Sequence, residues 1–278
     1  EALGGRRPGA RLLGVLHGDL DAGASRYAPV SRRRLEDLSL DACFLGHVHQ
    51  PCALSEMERP LGYLGSLVGL KPTESGPRGP WRVEVPASGP VRPRQVALSP
   101  IRWERFELPL EEEHAADEDR LHAHLEGWLR GRLEADESLR HEHLRAVVVR
   151  VELTGRLAHR AAVRSFVAGH APKDTVFRVL DRPVIVQRLY DHTRAAVDLE
   201  VLARESSPLG HVASQLLELQ AGGAEALVRR AGEGLEGLGN WRLDDDDLLE
   251  LPPAREVLEE SAWRLLDVLL AQREELSA

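Results

Sequence analysis

The sequence predicts an α/β fold that opens on parallel strands, and three observations carry that expectation. First, two short apolar runs, RLLGVLHG (11–18) and DACFLGH (41–47), flank a helical pattern at 31–40. A strand, helix, strand order over about 35 residues is a βαβ unit, which places two parallel strands in a covered sheet. Second, PWRVEVPASGPVRPRQVAL (80–98) holds two alternating runs joined by a Gly-Pro turn, the pattern of a β-hairpin. Third, leucine recurs at every fourth position in DEDRLHAHLEGWLRGRLEA (117–135), and helical patterns dominate from 197 onward.

Each element has its local reason. The run at 11–18 is apolar and ends in His-Gly, so it reads as a buried strand. In SRRRLEDLSL (31–40), Ser31 stands where a helix takes its N-cap. RPLGYLGSLVG (59–69) reads as a further strand and a loop. Strands in the hairpin at 80–98 then finish the sheet as an edge or add a second layer. From about residue 104 the character changes. The amphipathic helix at 117–135 precedes a strand (144–155), a helix (158–170) and a strand (182–190), a βαβ-like piece of domain size. Helices follow near 197–205, 208–220 and 255–276, the last introduced by Pro252-Pro253. The acidic run Asp244–Asp247 reads as a solvated turn, since a metal site needs convergent ligands rather than adjacent ones. The divisions expected are 1–103, 104–195 and 196–278.

Composition narrows the function classes. Hydrophobic residues make up 42% and charged residues 29%, a globular balance rather than a disordered one. No apolar run approaches the roughly 18 residues of a membrane span, and no signal-peptide pattern opens the chain. The first residue is Glu1 rather than methionine, and a strand pattern begins almost at once, so further chain is expected upstream. Cys43 and Cys52 form no CxxC pair, so both read as small buried hydrophobes in a reducing cytoplasm. Net charge is −9, unevenly spread. Residues 1–100 carry 13 Lys+Arg against 10 Asp+Glu, giving +3, and the remainder carries 23 against 35, giving −12. Such acidity excludes a purely electrostatic nucleic-acid binder. It leaves room for an enzyme whose metal ions meet the phosphate. There is no P-loop, no GxGxxG after a strand and no GxSxG.

The chemistry gathers at the strand ends. In parallel α/β sheets the site lies beyond the carboxyl ends of the strands. His17 ends the first strand, and His47 and His49 follow the second. Imidazole is the commonest protein ligand for transition metals, and three on one rim point to metal ligation. Two histidines at i and i+2 face the same way on an extended strand, but diverge in a loop and then serve two neighbouring ions. Gly46 lets the backbone come close and Pro51 stiffens the exit. Asp19 stands where it would orient His17, with capping of the turn as the competing reading for it and Asp21. Histidines 114, 122, 124, 141, 143, 159, 170, 192 and 211 are scattered and read as surface or capping groups.

At these residues the chain resembles the calcineurin-like metallophosphoesterases, specifically the SbcD-type DNA repair exonucleases. VLHGDLDAGASRYAPV is similar to the family's fourth motif, a His-Gly after a strand. LGHVHQP is similar to its fifth, Gly-His-x-His. GYLGSLVGLKPTESGPRGPWRVEV resembles the strand, Gly-Ser, Glu-x-Gly and strand beyond it. The likeness is densest over 11–102 and thins toward the helical tail. It implies the C-terminal part of a metallophosphoesterase β-sandwich flanked by helices, then a small α/β capping domain and a helical tail. It assigns His17 and His47 to one metal and His49 to the other, usually Mn²⁺, two ions in the complete protein. Tyr63 and Ser66 become candidates for substrate contact, with strand-end packing as the competing reading. Arg32, Arg33 and Arg34 become candidates for DNA phosphate contact, with a solvated helix face as the competing reading.

The family's earlier motifs, Asp-x-His, Gly-Asp and Gly-Asn-His, do not occur between Glu1 and residue 11. The catalytic residues are therefore expected upstream of Glu1. The expectation is a C-terminal portion that lacks four metal ligands and the proton-donating histidine, binds metal weakly by itself and does not turn over. The implied partners are DNA and an SMC-like coiled-coil ATPase gripped through the leucine-rich segments at 208–220 and 255–271, with packing of these segments on each other as the competing reading; a homodimer is among the assemblies allowed. Two other readings compete: a related phosphoesterase acting on nucleotides or phosphoproteins, and a non-catalytic scaffold for such an ATPase.

Overall fold

A computed structural model describes residues 9–21, 28–172, 175–238 and 253–277. Glu1, the run Asp244–Asp247 and Pro252 lie outside the described residues, and the expectation of catalytic groups upstream of Glu1 falls outside them as well. The fold is mixed α/β, with parallel and antiparallel strands and, among the described residues, seven α-helices. The chain divides into two compact units. The first comprises the chain up to Leu108, Glu118–Leu153 and Arg164–Asp191. The second comprises Pro109–Asp117, Thr154–Val163 and the chain from His192.

The first unit opens with β1 (Leu13–His17), α1 (Arg32–Asp37), β2 (Ala42–Gly46) and β3 (Leu61–Tyr63). They form a three-stranded parallel sheet in the order β1-β2-β3, so the βαβ expectation for 11–47 holds. The register pairs His17 with Gly46 and Leu45 with Tyr63, which brings three strand ends to one rim. β2 is central and buried on both faces. Cys43 and Leu45 pack with Leu35, Leu40 and Leu61 on one side. Ala42 and Phe44 pack with Leu54 and Val91 on the other, where Trp81 and Val83 also close in. Each large apolar side chain so buried contributes about 1.5–3 kcal/mol over leaving it in water. The hairpin β4 (Trp81–Glu84) and β5 (Arg92–Gln95) is antiparallel, as its alternation predicts, and it supplies that second layer.

Two local expectations need correction. β1 is apolar but not buried: Leu13, Val15 and Leu16 are 37%, 75% and 39% exposed. The reason is topological, because β1 pairs with β2 alone among the described residues. Ser31 occupies the N-cap of α1 without a side-chain cap bond. Asp21 does that job, its Oδ1 accepting from the Arg32 N–H at 2.8 Å.

A second sheet runs in the order β6-β7-β9-β8, from β6 (Ile101–Pro109), β7 (Ala146–Leu157), β8 (Val176–Val179) and β9 (Arg182–Ala195). The periodicity at 117–135 is realised as α2 (Glu118–Glu134), with Leu121, Leu125, Leu129 and Leu133 each 1% exposed or less. The strand at 144–155 and the helix at 158–170 appear as β7 and α3 (Ala161–Gly169). The βαβ-like reading misses β8, which follows α3 and pairs antiparallel with β9. It is a four-residue strand with one buried side chain, Val179, too short to show a period. The same reading omits β6, whose charged residues mask its alternation.

The second unit holds α4 (Leu199–Leu202), α5 (Pro208–Gln220), α6 (Glu225–Leu238) and α7 (Ala254–Ser277). Of these, α6 is not anticipated by the sequence reading. Asp198 caps α4 by accepting from Glu200 N and Val201 N, and Ser207 caps α5 by accepting from Gly210 N. Leu199, Leu202, Leu209, Ala213, Leu216, Trp263, Leu266 and Leu270 form one core. The leucine-rich segments thus pack largely on one another.

Candidate functional site

The rim where β1, β2 and β3 end is built by register. His17 stands opposite Gly46, and a Cβ on Gly46 would lie 2.8 Å from His17 Nδ1. Glycine there lets the imidazole lie against the neighbouring strand. His47 comes next, with φ at +105°, a left-handed value unusual for a residue with a side chain. That turn ends the extended run, so the side chains of His47 and His49 cease to share a face.

The two rings accordingly go to different neighbours. His47 meets His17 edge to face, with ring centroids 5.5 Å apart. Its Nε2 lies 4.0 Å from Asp19 Oδ2. His49 turns to Glu74, and its Nδ1 is 2.7 Å from Glu74 Oε1. The structure thus brings His17 and His47 together and seats His49 with a carboxylate instead. With Nδ1 engaged and half the side chain exposed, Nε2 is the His49 nitrogen left to a ligand.

Glu74 is 5% exposed. Its Oε2 accepts from Leu70 N at 2.8 Å and from Ser66 Oγ at 3.4 Å. Burial pushes this carboxyl up, but the Leu70 N–H, the His49 imidazole and the Arg78 guanidinium together hold it below its ordinary value. Arg78 is 1% exposed and clamps the loop. It donates to His49 O (2.8 Å), Gln50 Oε1 (2.7 Å), Ser75 O (2.8 Å) and Glu74 O (3.2 Å). Gly65, at φ +75°, sits so close to Pro51 that a Cβ would fall 2.8 Å from its ring. Sequence reasoning missed both Glu74 and Arg78. The Glu-x-Gly block flags Glu74, but nothing local marks an arginine between two glycine-proline turns as buried.

Tyr63 braces the loop after β1. Its hydroxyl accepts from Leu20 N at 2.6 Å and faces Asp19 Oδ1 at 3.4 Å. Burial raises its pKa, and Asp19 adds to the rise, so it stays a neutral phenol. Asp19 therefore faces His47 and Tyr63 rather than orienting His17. Ser66 donates its hydroxyl toward Glu74, and its N–H goes to His49 O at 2.9 Å. Arg33 and Arg34 are exposed on α1, and Arg32 lies 3.8 Å from Asp21, as a solvated face does. Cys43 is buried, and burial raises its thiol pKa; Cys52 Sγ accepts from Tyr63 N.

Two imidazoles with a carboxylate, and a third imidazole oriented by a second carboxylate, are donors that Mn²⁺ accepts. By donor chemistry the residues present fit that ion. In spacing they stand wider than a closed cage. Among the described residues, the set of three such donors mutually within 4.8 Å is Glu111, Glu113 and His114, in a turn of the second unit. Exposed acidic groups crowd in this way without an ion, and that turn carries no site by itself. No protein-family model and no curated protein sequence matches this chain.

Proposed function

We propose that this chain belongs to a metal-dependent DNA exonuclease of the SbcD type, acting in DNA repair and hydrolysing phosphodiester bonds at a dinuclear centre. The observation that supports it most is the pairing of His17 with His47 at adjacent parallel strand ends, beside Asp19, with His49 oriented separately by buried Glu74. In this reading His17 and His47 hold one Mn²⁺, and His49 presents Nε2 to the second. Bound there, the ions would supply Lewis-acid activation of water and charge stabilisation of an in-line displacement. The chain's own residues orient donors. Glu74 fixes the His49 ring, Arg78 fixes the loop that carries it, and Tyr63 holds Asp19 toward His47. The fold proposed with this function is the C-terminal part of a metallophosphoesterase β-sandwich, a small α/β capping domain and a helical tail. In this reading the remaining ligands and the proton donor are those of the family's earlier motifs.

DNA is the proposed substrate, in the cytoplasm, and an SMC-like coiled-coil ATPase the proposed partner. The helical tail supports the latter in one respect: Leu265 and Val268 of α7 stay 49% and 53% exposed while Trp263, Leu266 and Leu270 of the same helix pack into the core. The test is Mn²⁺ binding to this chain, followed by electron paramagnetic resonance. Weak binding that disappears in both His17→Ala and His47→Ala is expected. Unchanged affinity in either variant sinks the metal assignment. Mn²⁺-dependent hydrolysis of a small phosphodiester, with linear duplex DNA untouched once the earlier motifs are joined to the chain, would favour a phosphoesterase of nucleotides or phosphoproteins.

A further inference from the structure

A cavity of about 530 Å³ lies in the first unit, and none of His17, His47 and His49 lines it. One wall is the β4–β5 hairpin, through Arg82, Arg94 and Gln95. The other is the segment that carries Glu137 and His141. Three features there favour an anion. Arg82 and Arg94 stand directly opposite each other across the hairpin. Like charges in that relation destabilise a strand pair. Arg82 leans on Glu84 at 3.0 Å, but Arg94 has no acidic partner among the described residues. Finally, Gln95 Nε2 and His141 Nδ1 are buried with no hydrogen-bond partner. An unsatisfied buried polar atom costs about 1–3 kcal/mol.

We propose that this cavity binds the phosphate group of a nucleotide, through the guanidinium groups of Arg82 and Arg94 with Gln95 and His141 as further polar partners. Guanidinium forks match phosphate oxygens in geometry and charge better than a point cation does. The local field agrees. Burial holds the His141 imidazolium down, and Arg182, His143 and Arg102 hold it down further, so the region repels a cation. Glu137 is the one carboxylate among the lining residues and it is exposed. The volume exceeds a bare phosphate and lies within the range of about 300–1,000 Å³ typical of small-molecule sites. Pro77, Val96 and Ala97 offer apolar surface for the sugar or base.

The proposal does not depend on the metal reading, and its test is run in EDTA. The chain is titrated calorimetrically with inorganic phosphate, with deoxyadenosine monophosphate and with a short single-stranded oligothymidylate. Saturable binding of the monophosphate, competed by phosphate, assigns the site to free nucleotides. Tighter binding of the oligonucleotide assigns it to a strand. In either case Arg82→Ala/Arg94→Ala should bind about tenfold more weakly or worse, the loss of a charge-assisted contact. Both arginines are exposed and face each other as like charges, so the double variant should keep its circular dichroism and melt no lower than the parent. His47→Ala should bind like the parent. No binding in any arm, or undiminished binding by the double variant, overturns the proposal.

Discussion

His47 shows what a single residue decides. At φ +105° its backbone stores strain of about 1–3 kcal/mol, of a kind that persists where a site requires the geometry. Glycine adopts such a φ freely. His47→Gly is therefore expected to melt at or above the parent, and clearly above His47→Ala, while losing Mn²⁺ affinity as His47→Ala does. Equal melting temperatures for the two variants would mean that no strain is held there. His141 makes a pH prediction. Its imidazole pKa is lowered by burial, then by Arg182, His143 and Arg102. Below the ordinary value of about 6.5, the unfolded chain takes up a proton that the fold refuses. Its contribution is fully present above that value and is lost as pH falls toward the lowered one. Urea midpoints should drop across this window, and His141→Gln should flatten the drop.

At the scale of elements, β1 is the exposed member of its sheet. It is an apolar strand with one free edge among the described residues, and Val15 is 75% exposed. Such edges template pairing with other chains. Self-association that rises with concentration is expected in light scattering, and Val15→Lys should reduce it without lowering the melting temperature. Scattering unchanged by the lysine would clear β1 of that role. α2 is the opposite case. Leucines four residues apart fall on one face of a helix, so its length and buried stripe were legible from the sequence alone. β8 was not, because four residues cannot establish a period and its pairing with β9 is decided by the neighbour.

For the whole molecule, the second unit holds an apolar core and, among its described residues, an ion pair that is largely shielded from water. Arg160 and Asp267 are bonded, with side chains 9% and 16% exposed, and Arg160 also donates to Thr193 Oγ1 at 2.9 Å. Removing one partner leaves an uncompensated charge, at a cost of about 3–5 kcal/mol. Asp267→Ala should thus lose hydrogen-exchange protection most in α5 and α7, where the core of Leu216, Trp263 and Leu266 lies. Full protection retained there would show that the pair contributes little.

By itself, the sequence determined what depends on neighbours along the chain. It determined the parallel pair at 11–47, the hairpin at 80–98, the leucine stripe of α2, and the placement of His17 at one strand end with His47 and His49 just beyond the next. These follow from period, turn chemistry and connection length, which are local. Only the tertiary structure decided which donors face one another. It sent His47 to His17 and Asp19, gave His49 to Glu74, buried Arg78 as the clamp of the histidine loop, and left β1 exposed. Those outcomes turn on one backbone angle, on sheet order and on contacts between residues tens of positions apart. No window of sequence contains such information, because the energies that select them arise only when distant segments share a surface.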